Sequence, residues 1–203
     1  MQTVRSVTVY CSSSSAVPRA YAIAAAQLGR AIAENNWMLV YGGNCVGTMG
    51  AVSDGCRDAG GRVIGITPQL FIDKGIDDKR CHELVVTECM RTRKAAMENR
   101  GDAFITLPGG LGTLEEIFEI IVGKQLGIHD KPIVLLNVNN YFAPLLAMIE
   151  QGIEQHFIKP KARELYFVAD DVGAAVDHIR SYTPPARDDK WFEKSVPSGS
   201  VDE

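Results

Sequence analysis

The sequence predicts a single α/β domain in which a parallel sheet is covered by helices on both faces. The chain has 203 residues, which suits one ordinary domain. Hydrophobic residues make up 46% of it and charged residues 23%, a balance that supports a packed core. Short apolar segments alternate along the chain with segments of helical periodicity. Fully apolar strands of this kind are typical of parallel sheets buried on both sides.

Seven segments are predicted to be strands, because they are short, apolar and bounded by turn residues. In order they are residues 4–11, 37–41, 62–67, 83–88, 103–107, 132–138 and 165–168. The first is followed by four serines, the second by two glycines and the fifth by Pro-Gly-Gly. Pro68 ends the third strand, and the polar stretch 71–80 after it is expected to be an exposed, irregular loop.

Six segments are predicted to be helices, because their apolar residues recur every three or four positions. In order they are residues 18–35, 48–59, 90–101, 113–126, 143–155 and 172–182. Pro18 opens the first helix, and Asn35 with Asn36 ends it. Gly60 and Gly61 end the second helix.

The composition also limits the partners that the chain can have. Lys plus Arg number 21 and Asp plus Glu number 25, and the net charge of −4 argues against a nucleic-acid-binding face. No apolar run reaches the roughly 18–20 residues of a membrane span, and the first ten residues lack a signal-peptide pattern. We expect a soluble, cytoplasmic protein in which residues 1–183 form the domain. The polar tail, residues 184–203, is expected to be disordered.

The cysteines do not form a disulfide framework or a metal site in the sequence. They are Cys11, Cys45, Cys56, Cys81 and Cys89. Their odd number and scattered spacing fit free thiols in a reducing compartment. Cys81 and His82 with Cys89 lack the paired spacing of a zinc site, so no metal is predicted.

Three loops that follow predicted strands carry the strongest functional signal. They are residues 12–15, 42–50 and 108–113. In an open parallel sheet, ligands bind beyond the carboxyl ends of the strands, so the three loops are expected at one edge. Glycine-rich turns that open helices suit a phosphate or a carboxylate. The second loop lacks the strict G-x-G-x-x-G spacing and no acidic residue ends the following strand, so NAD is weakly supported.

Two segments carry candidate functional side chains. Thr113 and Glu116 have the T-x-x-E spacing of a capping box, in which Thr113 would cap the helix and both residues would be structural. Arg91, Arg93 and Lys94 open the helix at residue 90, where the helix dipole disfavours cations. Either the three side chains form a solvated basic patch, or at least one of the arginines binds an anion through its planar guanidinium fork.

Residues 90–137 strongly resemble the LOG ("lonely guy") family of cytokinin riboside 5′-monophosphate phosphoribohydrolases, which are often labelled lysine decarboxylase-like. The family hallmarks M-x-x-R-K and P-G-G-x-G-T-x-x-E stand here at residues 90–94 and 108–116. The likeness extends over about residues 4–182. It implies a Rossmann-like homodimer with a shared active site. It also implies hydrolysis of the N-glycosidic bond of AMP or of N6-modified riboside 5′-monophosphates, giving free base and ribose 5-phosphate without a cofactor.

The resemblance assigns Arg93 and Glu116 as the catalytic pair. The residues expected to contact the nucleotide are Ser12, Ser13, Gly42, Gly43, Gly47, Met90, Lys94, Gly109, Gly110, Leu111, Gly112, Thr113 and Glu115. Breaking a ribosyl C–N bond passes through an oxocarbenium-like state, which the Glu116 carboxylate could stabilise while it orients water. Arg93 cannot donate a proton, so it would hold the phosphate or the base, or steer Glu116.

Alternatives remain open at the level of the sequence. A nucleotide or molybdenum-cofactor carrier on the same fold would bind without turnover, and an NAD-dependent oxidoreductase is a third possibility. The sequence does not separate AMP from N6-modified AMP as substrate. Met97, Phe118, Ile121 and Val122 form either a dimer face or part of the core.

Overall fold

The computed structural model describes residues 4–184, and its seven strands form one sheet in the order β4-β3-β2-β1-β5-β6-β7. The strands are β1 Ser6–Tyr10, β2 Met38–Tyr41, β3 Val63–Pro68, β4 Glu83–Thr87, β5 Ala103–Thr106, β6 Ile133–Leu136 and β7 Phe167–Ala169. Every neighbouring pair is parallel. The predicted α/β domain with a parallel sheet is confirmed, and each strand lies at or next to its predicted segment.

Each α-helix except the last connects one strand to the next. They are α1 Arg19–Glu34, α2 Gly47–Asp58, α3 Gln69–Asp73, α4 Met90–Arg100, α5 Leu111–Gln125, α6 Ala143–Glu154 and α7 Val172–Ser181. Six of them confirm the predicted helices to within about two residues. The short helix α3 was not predicted, because one turn of helix is too brief to show a periodicity. The prediction of an irregular loop from residue 71 is wrong for its first three residues.

Each strand contributes alternate side chains to two separate cores, one on each face of the sheet. In β2, Leu39 and Tyr41 lie in the core beneath α1, α2 and α7, whereas Val40 lies in the core beneath α4, α5 and α6. Met97 and Ile121 are buried in this second core, so they do not belong to a dimer face. Neither face of the central strands remains open to solvent, which explains why their sequences are almost continuously apolar.

The connection between strands creates a crevice at the centre of the sheet. The chain moves outward from β1 to β4 and then returns to place β5 on the other side of β1. The loops after β1 and β5 therefore diverge at the carboxyl edge, the usual position of a ligand in such sheets. Among residues 4–184, no helix is long and apolar enough to cross a membrane. The predicted tail lies, apart from residue 184, outside the described residues.

Candidate active site

A cavity of about 350 Å³ opens at the carboxyl edge of the sheet. The loops after β1, β2 and β5 all contribute to its wall, which confirms that the three loops meet at one edge. Ten of the fifteen predicted site residues line it: Ser12, Ser13, Gly42, Met90, Arg93, Gly110, Gly112, Thr113, Glu115 and Glu116. Within the described residues, no cluster of three or more His, Cys, Asp or Glu side chains could hold a metal ion.

A buried ion pair forms part of the cavity wall. Arg93 on α4 and Glu116 on α5 are 3% and 5% exposed, and Nη1 of Arg93 donates to Oε1 of Glu116 at 2.9 Å. The same guanidinium donates from Nε to the carbonyl of Ile66 at 3.0 Å, and Nη2 lies 3.5 Å from the carbonyl of Gly42. The fork is therefore held by β3, the loop after β2 and α5, so its anion partner is Glu116 and it is not a solvated patch.

Burial governs the electrostatics of this pair. Removal from water raises the pKa of Glu116, while the charge and the hydrogen bond of Arg93 oppose that shift. Arginine stays protonated in proteins, so the guanidinium is a permanent charge beside the carboxylate. The arrangement provides one carboxylate that is poised to exchange a proton and one cation that orients it.

Glycine at position 42 is required by the packing of the guanidinium. A Cβ atom there would lie 2.2 Å from Nη2 of Arg93, closer than two non-bonded atoms can approach.

The loop after β2 also packs closely against the loop after β1. Gly47 has φ +62°, and a Cβ added to it would meet the carbonyl of Ser14 at 2.6 Å. The loop after β2 can therefore lie directly against the serine loop after β1. Thr48 links the two loops, since its hydroxyl accepts from the N–H of Ser12 at 2.9 Å and donates to the carbonyl of Ser12 at 3.0 Å.

The amino end of α5 faces the cavity without a side-chain cap. The helix begins at Leu111, with Gly110 at the N-cap position. The predicted capping box is wrong, because the helix starts two residues before Thr113 and the threonine hydroxyl donates instead to the carbonyl of Cys11 at 3.2 Å. The first N–H groups of a helix lack acceptors within it and carry partial positive charge. Gly110 and Gly112 have open space where side chains would stand, so an anion can approach this end closely.

Five predicted residues lie outside the cavity wall: Gly43, Gly47, Lys94, Gly109 and Leu111. Lys94 is engaged across the helix pair, with its ammonium 2.7 Å from Oε1 of Glu115 and 3.1 Å from Oε2 of Glu119. Leu111 points outward and is 86% exposed. The nucleotide contacts expected for these residues stay predictions.

The cavity is also lined by residues outside the predicted set of nucleotide contacts: Cys11, Ser14, Asn44, Met49, Phe71 and Ile76. Ser14, Asn44 and Met49 belong to loops that the sequence indicated, whereas Cys11, Phe71 and Ile76 do not. Phe71 and Ile76 belong to the segment after β3 that was predicted to be an exposed loop. Large apolar side chains in a largely polar segment are the signal that could have indicated a ligand wall.

The two ends of the cavity differ in chemistry because they are formed by segments that follow different strands of the sheet. The serine loop and the amino end of α5 follow β1 and β5 and supply hydroxyl and N–H groups. Phe71, Ile76 and Met90 follow β3 and β4 and supply an apolar wall. Arg93 and Glu116 bridge α4 and α5, so their pair lies where a ligand spanning both ends would pass.

Comparison with known proteins identifies relatives over most of the chain. Residues 49–179 match the protein family described as "Possible lysine decarboxylase". The cytokinin riboside 5′-monophosphate phosphoribohydrolase LOG5 of Arabidopsis thaliana is 42% identical over 178 residues, or 88% of this chain and 78% of that protein. A protein of the same enzyme name from Rhodococcoides fascians is 44% identical over 182 residues, or 88% of this chain and 91% of the other.

Solved structures show the same fold at lower sequence similarity. The molybdenum cofactor binding protein of Rippkaea orientalis superimposes with a TM-score of 0.67 at 24% identity, covering 87% of this chain and 96% of that one. The molybdenum cofactor carrier protein of Chlamydomonas reinhardtii gives a TM-score of 0.64 at 21% identity, with coverage of 87% and 96%. At this identity the likeness concerns the fold alone.

Proposed function

The chain belongs to the LOG family of cytokinin riboside 5′-monophosphate phosphoribohydrolases, and from that premise we propose that it hydrolyses the N-glycosidic bond of a nucleoside 5′-monophosphate. The products are the free base and ribose 5-phosphate. The observation that carries the proposal is the buried Arg93–Glu116 pair, placed between an anion-binding helix end and an apolar wall. The decarboxylase description fits less well, because the Lys94 ammonium is held by two carboxylates that raise its pKa.

The two ends of the cavity suggest the direction in which the nucleotide lies. The 5′-phosphate is placed at the amino end of α5, where Gly110, Gly112 and Thr113 offer N–H groups. The base then extends toward Phe71 and Ile76. An apolar wall suits a base that carries a hydrocarbon substituent, so AMP is accepted and N6-isopentenyl-AMP is preferred.

The reaction replaces the bond between C1′ and the base nitrogen with a bond between C1′ and water. As the C–N bond breaks, its electron pair leaves with the base and positive charge develops on the ribose. The Glu116 carboxylate stabilises that charge and accepts a proton from the attacking water, a role to which a raised pKa is suited. Arg93 keeps the carboxylate oriented, and the bound phosphate holds C1′ in place. The departing base finally takes up the proton that the Glu116 carboxylate has accepted, so the carboxylate returns to its ionised form.

We also propose that the active protein is a homodimer whose two copies share the site region. Helix α5 exposes an apolar stripe at Leu111, Phe118, Val122 and Leu126, which are spaced to lie on one side of the helix. The stripe begins beside Gly110 and Gly112 in the cavity wall, so a second copy covering it would adjoin the cavity.

Light scattering tests the proposed dimer and should give twice the mass of one chain. Phe118→Glu should give single chains, whereas Met148→Glu, a change at an exposed residue of α6, should not.

The cytoplasm is the compartment we propose. All five cysteines are free thiols, two of them exposed. Exposed thiols persist in a reducing compartment. Fractionation of the source cells tests this proposal, and recovery of the protein outside the cytoplasmic fraction would contradict it.

The assay that tests the proposed function is release of free base, measured by chromatography, with AMP and N6-isopentenyl-AMP offered in parallel. The corresponding ribosides, which lack the phosphate, serve as the substrate control. Base release from both monophosphates, and little from the ribosides, is the expected result. The carrier alternative is supported by the shared fold. Tight AMP binding without base release would favour that alternative.

A further inference from the structure

Tyr141 contacts the glycine turn of the site from outside the cavity. Its hydroxyl donates to the carbonyl of Gly109 at 2.6 Å, across 32 positions of sequence. Gly109 lies in the turn between β5 and α5, one residue before the helix end that faces the cavity. Tyr141 follows β6, which lies on the side of β5 away from β1. The hydroxyl therefore reaches the turn from the chain segment that follows β6.

Because the peptide group is planar, this contact also fixes the direction of the N–H group of the next residue, Gly110. The described chain contains no cis peptide bond, and in a trans peptide the carbonyl and the following N–H point in opposite directions. Because the Gly109 carbonyl points to Tyr141, the Gly110 N–H points away from Tyr141, and Gly110 itself lines the cavity. Thr113 packs close to Gly109, since a Cβ at Gly109 would lie 2.2 Å from the threonine Oγ1, so a residue with a side chain does not fit in this turn.

The loop that carries Tyr141 is itself firmly built. Asn139 and Asn140 adopt left-handed backbone conformations, with φ of +53° and +56°, which asparagine tolerates better than most residues. The side chain of Asn137 accepts the N–H of Phe142 at 2.8 Å. The Tyr141 ring packs edge-on against Phe142 and Tyr21, with centroid separations of 5.3 Å and 6.0 Å. The residue as a whole is 42% exposed, and the hydrogen bond of its hydroxyl is partly buried.

We propose that Tyr141 is a positioning residue, which holds the Gly109–Gly110 peptide so that the Gly110 N–H donates to the phosphate of the substrate. The inference rests on the proposed function and names a residue that acts on substrate binding without touching the substrate. A hydrogen bond lost from a preorganised anion site costs about 1 kcal/mol, which corresponds to roughly a fivefold loss of affinity.

The experiment compares Tyr141→Phe with the control Tyr21→Phe, which removes a hydroxyl from the neighbouring ring of the same cluster. Binding of ribose 5-phosphate is measured by calorimetry, because this product carries the phosphate without the base. KM and kcat are measured for the monophosphate and for the riboside. We expect Tyr141→Phe to weaken ribose 5-phosphate binding about fivefold and to raise KM for the monophosphate by a similar factor. Its kcat, its riboside kinetics and all values for Tyr21→Phe should stay within twofold of those of the unaltered protein.

Two results would overturn the inference. One is unchanged ribose 5-phosphate binding in Tyr141→Phe. The other is an equal loss with monophosphate and riboside, which would indicate a general structural role. An unaltered protein that binds ribose 5-phosphate but releases no base would refute the proposed function alone, because the binding comparison still tests Tyr141.

Discussion

Two buried carboxylates in this molecule each face arginine, yet their surroundings differ. Asp78 is 1% exposed and accepts from the Tyr41 hydroxyl at 2.9 Å and from both the N–H and Nε of Arg80, at 3.0 and 3.1 Å. Nη1 of Arg57 lies 3.1 Å from the same carboxylate. Glu116 is buried almost as deeply, but its one hydrogen bond to a side chain in the described structure is from Arg93.

The pKa shifts follow the number of donors. Burial alone would raise the pKa of Asp78, but the donors of Arg80 and Tyr41 and the charge of Arg57 lower it below its ordinary value. Burial raises the pKa of Glu116, and Arg93 does not fully oppose it. A carboxylate with many donors is fixed as an anion and supports structure, whereas one with few donors beside a cavity keeps capacity for a ligand or water. This contrast assigns Asp78 to the framework and is consistent with the catalytic role that we propose for Glu116.

The largest expected effect is on activity, from Glu116→Gln. Glutamine keeps the shape of the side chain and an oxygen that accepts from Arg93, but it cannot take a proton from water. We expect kcat to fall about 10³-fold, the range for loss of a general base, while the protein stays folded. Base release and circular dichroism measure the two quantities.

Glu119→Gln is the matched control for this change, because Glu119 lies three residues along the same helix and is exposed. Its activity should stay within twofold of the unaltered value. Full activity in Glu116→Gln would contradict the proposal that Glu116, unlike Asp78, takes part in the reaction.

Asp78→Asn should act on stability rather than on kcat. The change leaves Arg57 and Arg80 without their shared buried anion, and breaking a buried pair costs about 3 kcal/mol of unfolding free energy. Denaturant unfolding measures the loss. Asp54→Asn is the control, since Asp54 contacts the same two arginines but is half exposed, and should cost less than about 1 kcal/mol. A strongly reduced kcat in an Asp78→Asn protein that is still fully folded would show that Asp78 takes part in the reaction.

Gly42→Ala should disturb the arginine without removing it. The added Cβ would meet Nη2 of Arg93 at 2.2 Å, so the fork must move and Glu116 loses its orientation. A misplaced catalytic group costs about tenfold or more in kcat, and overpacking costs about 1–3 kcal/mol of stability. Gly123→Ala on α5 is the control, because its Cβ would make only an ordinary contact of 3.4 Å with His129. Normal kcat in Gly42→Ala would show that Arg93 need not be held in this position.

The contrast between the two carboxylates also marks where prediction from sequence succeeds. Alternation of apolar and helical segments is local, so the strands, the longer helices and the meeting of three loops were predictable. The segments with Arg93 and Glu116 were identified through their motifs. The Asp78 network was not predicted, because Tyr41 and Arg57 approach Asp78 only after β2, α2 and the segment beyond α3 are packed together. Tyr141 was missed for the same reason, since its partner Gly109 is brought near by the pairing of β5 with β6.

The helix start at Leu111 illustrates the opposite failure, in which a local rule was applied where tertiary contacts decide. The T-x-x-E spacing favours a cap at Thr113, and in isolation that side chain would cap the helix. In the folded chain the hydroxyl finds the Cys11 carbonyl and Glu116 finds Arg93. The helix end is left uncapped toward the cavity, which is the property that an anion site requires.

The smallest expected effect is a difference in pH dependence between the two carboxylates. The folded pKa of Glu116 is raised above its ordinary 4.5, so the folded state binds this proton more tightly than the unfolded state and stability falls as pH rises from about 4.5 to the folded value. The folded pKa of Asp78 is lowered below 3.8, so its contribution is present above that pH and is lost as pH falls below it. A pKa that differs by one between the folded and unfolded states changes the unfolding free energy by about 1.4 kcal/mol.

Unfolding free energies measured from pH 3 to 8 test this contrast. The informative quantity is the slope of the unfolding free energy against pH, because a constant difference between two variants does not depend on proton binding. Relative to the unaltered protein, Glu116→Gln should gain stability as pH rises above about 4.5. Asp78→Asn should lose less stability than the unaltered protein as pH falls below about 3.8. Parallel curves for the unaltered protein and Glu116→Gln would mean that Arg93 cancels the effect of burial. The pKa of Glu116 would then be unshifted, and the proposed acceptance of a proton from water would lose the support of a raised pKa.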